Sequence, residues 1–471
     1  MQLAIILAYF ALTIGIGLYS QKKSKTSDSF HGAGLGILMC VAAGTGEWLG
    51  GTSTTGVSEY GYLFGLSGAW YTVANGLGIL VLAIFFAKLY RSLDTVTVPG
   101  ILGHYLGKNA RLVASLMLIF VMIVVGASQI IAAGTLGVSI LGLDFNVAVI
   151  ILGLCFIVYT IAGGMNAVGR TNILHLVAMY GGILVALAVV GAEIGGLGTL
   201  TRDLPADPYF QPMGIGTSKA SSWIIASVLG ACTAQAGIQP LLAAKDIKTA
   251  RRAAFITALI VAPFGILTAL LGMSARILYP SLENPKLALP TLMMDMHPVV
   301  GGIVLASIFA AVLSTISPII LAAGTMFTKD IFQRFCRWDV PDHQLLRMSR
   351  ISTGAAGLIC IALAIGFYGS TRILDMVYFA YTLRGALFIV LMYGIYCRRA
   401  SETGAILSML LTGAVGLFWV AYKAVVGIFP IADWMTETYA AAIAAAVATI
   451  LFSLLFPDKP GARLANPAPR P

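Results

Sequence analysis

The chain has 471 residues, of which 59% are hydrophobic and only 10% charged. That balance excludes an ordinary soluble domain and fits an integral membrane protein, and apolar runs of roughly 20 residues read as helical spans rather than barrel strands of about ten. The net charge of +10 is no signal for nucleic acid, because the basic residues gather in alternate connections; the six scattered cysteines, with no CxxC, give neither a disulfide framework nor a zinc site.

Apolar runs bounded by charges and turn residues predict an all-α membrane protein with about thirteen transmembrane helices. They lie near 2–20, 35–60, 66–88, 112–141, 145–163, 172–195, 219–243, 252–277, 299–327, 350–368, 373–396, 403–427 and 438–456. The first run, Leu3 to Leu18, lacks a basic leader and a small-residue cleavage site, so it is expected to be retained. Connections on one side carry Lys22, Lys23 and Lys25, then Lys88, Arg91, Lys108 and Arg111, then Arg170, then Lys245, Lys248, Arg251 and Arg252, then Lys329, Arg334, Arg337, Arg347 and Arg350, then Arg398 and Arg399. The other side holds only Arg202, Lys219, Arg276, Lys286 and Arg372. This asymmetry predicts an N-terminus outside and a C-terminus in the cytoplasm, as for a multi-pass protein of the cell (inner) membrane. Residues 1–456 are expected to form one transporter domain, followed by a disordered proline-rich tail, 457–471, that carries Lys459, Arg463 and Arg470. No ATP-binding or phosphoacceptor region remains to be placed, which argues against a sensor kinase.

Two spans contain helix breakers. The stretch Gly44-Thr45-Gly46-Glu47-Trp48-Leu49-Gly50-Gly51 sets four glycines and a carboxylate at mid-membrane depth, where a charge costs at least about 2.5 kcal/mol and each glycine about 1 kcal/mol relative to alanine. Such a stretch persists in lipid where the backbone lines a cavity or binds something. The second, Gly230 to Pro240, adds Gln235, Gln239 and a proline to its glycines. With the first span set aside, the breaks fall in helices 1 and 6 of the remaining spans. An odd number of spans per copy inverts the second copy, which predicts a five-plus-five inverted repeat, about 35–195 and 219–396, with paired discontinuous helices at the binding site. The helices at 2–20, 403–427 and 438–456 are then extra.

An ordered set of segments resembles the sodium:solute symporter family, whose members share the leucine-transporter fold. Asp28-Ser29-Phe30-His31-Gly32-Ala33-Gly34 resembles the family's loop after the first span, and Val96-Thr97-Val98-Pro99-Gly100 its loop after core helix 2. Tyr159-Thr160-Ile161-Ala162-Gly163-Gly164-Met165-Asn166-Ala167-Val168 is similar to the segment before core helix 5. Gln235 and Gln239 followed by Ala243-Ala244-Lys245-Asp246 resemble the end of core helix 6, and Ala310-Ala311-Val312-Leu313-Ser314-Thr315-Ile316-Ser317 resembles the sodium-site motif on core helix 8. The resemblance covers nearly the whole chain and implies sodium-coupled transport.

A sodium ion needs about five or six oxygens, which a site poor in net charge must draw from carbonyls and hydroxyls. Ser314 and Thr315 are adjacent hydroxyls, Ala311 lies one turn earlier, and Thr45 and Trp48 match the family's carbonyl contributors from the first break. The plainer reading of the two hydroxyls is a bond back to their own helix. Where several family members carry an aspartate on core helix 5 for a second cation, this chain has Arg170-Thr171-Asn172, so one sodium per cycle is expected, although Ser317 keeps part of that hydroxyl set.

Charges at membrane depth face a cavity and usually pair, so Glu47 and Arg384 are expected to face one another or one cavity, with Arg384 available to a solute carboxylate and Glu47 to an ammonium or a proton. A structural ion pair, or an Arg384 that snorkels to a boundary, stands equally beside that reading. Trp48 and Trp70 are candidate pocket walls, while Tyr60 and Tyr62 read as interfacial anchors. Gln235 and Gln239 offer amides to a solute or to neighbouring helices alike. His175, alone within a span, is assigned no role.

These features predict sodium-coupled symport of a small organic solute by alternating access, with a monocarboxylate or amino acid favoured over a sugar. The partners are that solute, membrane lipid and no nucleic acid; oligomeric state is silent. A proton-coupled transporter with Glu47 as carrier, or a solute sensor or channel of the same fold, are the alternatives. No nucleophile, base and orienting group occur together, so the chain does not read as an enzyme.

Overall fold

Long apolar runs fold as helices because lipid leaves every backbone amide to find its partner within the segment. The computed structural model describes residues 2–21, 34–93, 95–336, 340–369 and 372–458. Lys22, Lys23, Lys25, Arg337, Lys459, Arg463 and Arg470, the segment from Asp28 to Ala33 and nearly all of the 457–471 tail lie outside those residues. Among the described residues the regular structure is helical, and strand-like pairing is limited to one parallel bridge between Leu35 and Ala244.

In chain order the helices are α1 (Gln2–Gln21), α2 (Ile37–Gly46), α3 (Val57–Phe64), α4 (Trp70–Val81), α5 (Val98–Leu106), α6 (Lys108–Leu141), α7 (Phe145–Ala162), α8 (Ala167–Glu193), α9 (Thr217–Ala231), α10 (Gln235–Leu242), α11 (Ile247–Leu278), α12 (Pro298–Met326), α13 (Asp342–Phe367), α14 (Ile373–Tyr396), α15 (Glu402–Val426) and α16 (Glu437–Leu455). Eleven segments among the described residues are long and apolar enough to cross a membrane; Gln2–Ile16 and Ile37–Gly46 are apolar but shorter. Thr52–Ser92 forms one of the eleven, although it joins the end of one expected apolar run to the next across a 3-10 turn at Gly65–Ala69.

Core helix 1 is α2 plus α3, and core helix 6 is α9 plus α10; the two broken helices touch, α10 packing on α2. Among the long helices α12 is deeply enclosed and packs on α8, α6, α13 and α1. On α14 lie α15 and α16, at the edge of the bundle. Large side chains such as Leu116, Val158, Val177 and Leu259 point outward with more than half their surface bare, an apolar coat that suits hydrocarbon. That all-helical arrangement carries both breaks to the interior, where every residue from Cys40 to Tyr62 is buried.

Candidate functional site

Between α2 and the π-helical turn Thr52–Gly56 the chain leaves the helix at Glu47 and re-enters it at Gly51. Within this break the Thr45 carbonyl accepts the Trp48 and Leu49 amides at 3.0 and 3.1 Å. The carbonyls of Gly46 and Leu49 reach α12 instead: Thr315 Oγ1 donates to Gly46, and Ser314 Oγ lies 3.2 Å from the Leu49 oxygen. Both hydroxyls also reach the Ala311 carbonyl, Ser314 at 2.8 Å and Thr315 at 3.2 Å. Three carbonyl oxygens and two hydroxyls therefore converge with only two hydroxyl protons among them. A hard monovalent cation satisfies such an oxygen-rich ring better than those protons do. The structure thus brings Ala311, Ser314 and Thr315 to the first break, and the carbonyls they meet belong to the residues following Thr45 and Trp48.

Close approach requires glycine here. A Cβ on Gly46 would lie 2.5 Å from the Ser314 carbonyl, and one on Gly50 would lie 2.6 Å from the Gln129 amide oxygen as well as against Thr315. Asn172 of α8 closes the other flank, its Nδ2 donating to the Ser314 carbonyl at 3.1 Å. Ser317 Oγ, one turn on, is buried without a hydrogen bond.

Beside this ring lies a fully enclosed ion pair. Arg384 Nη1 donates to Glu47 Oε1 at 2.8 Å, and both side chains are 0% exposed. The guanidinium stacks on Tyr381, 3.9 Å from the ring centroid, and faces the Trp48 ring at 5.0 Å. Tyr381 and Tyr71 join through their hydroxyls at 3.0 Å, and Tyr378 stacks on Trp223 at 4.1 Å, which completes an aromatic wall. The Gly237 amide, near the start of α10, lies beside the Glu47 carboxylate. Arg384 Nε and Nη2 and Glu47 Oε2 make no hydrogen bond. A dehydrated pair with donors left open on one partner and an acceptor on the other is costly, and a ligand bearing both kinds of group fills it.

The other expected residues lie elsewhere. Trp70 donates its indole N–H to the Pro212 carbonyl in an exposed loop contact at 2.7 Å, away from the pair. Gln235 clasps the connection before α5, accepting from the Val98 amide at 2.7 Å and donating to the Val96 carbonyl at 3.1 Å, and Gln239 reaches Thr325 at 3.4 Å. At the same end Asp330 accepts from Thr97 at 2.9 Å and from Arg111 Nε at 2.8 Å. At the opposite end Lys219 and the Tyr60 hydroxyl meet Asp375 at 2.8 and 2.7 Å. Polar bonds thus tie the helices together on both sides of the pair. Lys286, in the loop at that second end, is held below the usual lysine range by burial. His175 shares a hydrogen bond with Tyr9 of α1. Tyr71 and Trp223 belong to the aromatics that the sequence gathers near the two breaks, whereas Tyr378, Tyr381 and Gln129, buried in α6 and bonded to Thr52, carried no expectation from the sequence.

Three comparisons bear on this arrangement. The family model described as the sodium:solute symporter family matches residues 30–413. The chain is similar to the osmoregulated proline transporter OpuE of Bacillus subtilis (strain 168), 25% identical over 431 residues that cover 88% of this chain and 87% of that one. It is similar also to the high-affinity proline transporter PutP of the same organism, 24% identical over 430 residues, 87% of this chain and 89% of that one. In fold it matches a substrate-bound, outward-open sodium-coupled sialic acid symporter with a TM-score of 0.81 at 20% identity, over 97% of this chain and 98% of that one.

Proposed function

We propose that this chain, which belongs to the sodium:solute symporter family, carries a zwitterionic amino acid inward with one sodium ion. It is a multi-pass membrane transporter and not an enzyme, sodium is its co-transported ion, and its partner is a small organic solute.

The observation that carries the solute reading is the Glu47–Arg384 pair with its open valences. A monocarboxylate would draw Arg384 away and leave a buried carboxylate uncompensated, a loss of about 3–5 kcal/mol. An amino acid offers a carboxylate to Arg384 and an ammonium to Glu47, so both buried charges stay matched. The helix starts that often take anions already face protein groups: Gln129 accepts the Thr52 amide, and Glu47 lies beside the Gly237 amide. Arg384 is what remains for the solute. Proline transport by two of the similar proteins points the same way. Trp48, Tyr381 and Tyr71 would wall the solute body, while Trp70, Gln235 and Gln239 act at a distance from it, in loop contact and closure.

In this reading sodium sits among the Gly46, Leu49 and Ala311 carbonyls and the Ser314 and Thr315 hydroxyls, and it fixes the break of core helix 1 against α12. Asn172 supports a single ion, because its amide donates to the Ser314 carbonyl where a cation would otherwise be drawn. Glu47 is engaged with Arg384, whose Nη1 donates to it at 2.8 Å, and in this reading it serves the solute's ammonium rather than a proton. One charge crossing about 100 mV supplies about 2.3 kcal/mol and a tenfold sodium gradient about 1.4 more, which together sustain roughly 500-fold accumulation of a net-neutral solute. The excess of Lys and Arg in the connections near Asp330 and Gln235 supports a cytoplasmic reading of that end, with the N-terminus outside, and the bacterial relatives support a cell (inner) membrane location. One helical bundle, holding both broken helices, would rock against the other to open each end in turn.

The test is a sodium-dependent thermal shift of the purified protein with an amino acid set, each member matched to its deaminated acid and its decarboxylated amine. Stabilisation by the zwitterion alone is expected. Equal stabilisation by the deaminated acid would overturn the amino acid reading.

A further inference from the structure

Gln129 is an amide in the middle of a membrane helix, fully buried among Val125, Ile130 and Ala133. Such a group is costly there unless both of its polar atoms are bonded. Both go to one residue: Nε2 donates to Thr52 Oγ1, and Oε1 accepts the Thr52 amide at 3.3 Å. The Thr52 amide can only donate, so the oxygen must face it. Thr52 opens the second half of core helix 1, whose first amides have no partner within their own helix. Gln129 therefore caps that half from a different helix.

The cap stands next to the ion site. Beside Gly50 a single side-chain position is contested by Gln129 Oε1 and Thr315 Oγ1 together, so the amide of α6, the break and the hydroxyl of α12 form one row. Leu49, whose carbonyl faces Ser314, is three residues before Thr52. A shift of Thr52 along α6 would carry the Leu49 carbonyl with it, because Gly50 and Gly51 are the link between them.

We propose that Gln129 is a positioning residue for sodium: by holding Thr52 it fixes the Leu49 and Gly46 carbonyls opposite α12, and so sets sodium affinity without touching the ion or the solute. The inference rests on the sodium reading of Ser314 and Thr315. Gln129→Met keeps the length and burial of the side chain and removes both bonds.

The experiment measures the sodium concentration for half-maximal uptake, and the solute KM at saturating sodium, in proteoliposomes. Gln129→Met is expected to raise the sodium value about tenfold, as the loss of two ordinary hydrogen bonds predicts, and to leave the solute KM within about twofold. Gln129→Glu retains an acceptor for the Thr52 amide and takes a bond from its hydroxyl, so it is expected to hold the sodium value at or below that of the unmodified protein. Thr52→Val removes only the hydroxyl bond and is expected to raise it about threefold, which serves as the measure if Gln129→Met does not fold. An unchanged sodium value in Gln129→Met or, failing that variant, in Thr52→Val, or a solute KM raised by the same factor, would overturn the proposal. Ser314→Ala run in parallel separates the two ideas: if sodium dependence survives it unchanged, the ion site lies elsewhere, whatever Gln129 does.

Discussion

The first break turns its carbonyls toward another helix, and the second keeps its own occupied. At the first, Gly46 and Leu49 face the hydroxyls of α12. At the second, the Cys232 carbonyl accepts the Tyr90 hydroxyl at 3.0 Å, Thr233 donates to the Arg384 carbonyl at 2.6 Å, and Gln235 is bound to the connection before α5. At the first break two hydroxyl oxygens gather beside three carbonyls and can turn toward a cation with them, whereas at the second the bonds are made singly to separate helices. In the proposed reading two breaks of similar composition divide the labour: one would present oxygen to an ion, and the other steadies Arg384, whose carbonyl takes the Thr233 hydroxyl.

The largest test of that division is at Arg384. Replacing it by Gln leaves Glu47 buried and unpaired, so a loss of about 3–5 kcal/mol in unfolding stability and a fall in uptake of more than about hundredfold are expected. The double variant with Glu47→Gln should regain most of the stability and none of the uptake; recovery of uptake would make the pair merely structural. Next comes Ser314→Ala on the ion side. The half-saturating sodium concentration should rise about tenfold or more, the scale of one bond to a charged group, with little change in thermal midpoint without sodium. If the same shift came from Thr233→Ala instead, the two breaks would have exchanged roles. A smaller change is expected from Asn172→Asp, which places a carboxylate beside the Ser314 carbonyl: the Hill coefficient for sodium should climb from about one toward two, read from initial uptake rates. Least is expected of Trp70→Phe. Its indole bond lies at an exposed loop, so uptake should stay within about twofold.

Much of this arrangement is legible in the sequence, for reasons that are local. Four glycines within eight residues cannot continue a membrane helix, and adjacent Ser314 and Thr315 announce themselves against an apolar background. The meeting of Glu47 with Arg384 follows from the cost of a lone charge at that depth. What the sequence does not carry is direction. A carbonyl's aim depends on backbone angles inside the break, and a shift of one residue separates Thr45 and Trp48 from Gly46 and Leu49. Gln235 and Gln129 are chemically alike, and nothing in their spacing tells that one holds the start of α5 and the other Thr52 in the first break. Trp70 is one of the aromatics that follow the first break in sequence, yet it opens α4 after the 3-10 turn at Gly65–Ala69 and its indole meets the Pro212 carbonyl instead of the pair.

Leu35 is joined to the end of α10 by two main-chain bonds, its amide to the Ala243 carbonyl at 2.9 Å and its carbonyl to the Lys245 amide at 3.0 Å. This stitch links the entry of one broken helix to the exit of the other. A fastener made of backbone has no side chain to mutate, so drift in sequence leaves it intact. In the proposed cycle the two half-helices it joins would swing as one lever, and an ion held by the first would not depart through an opening that leaves the second behind.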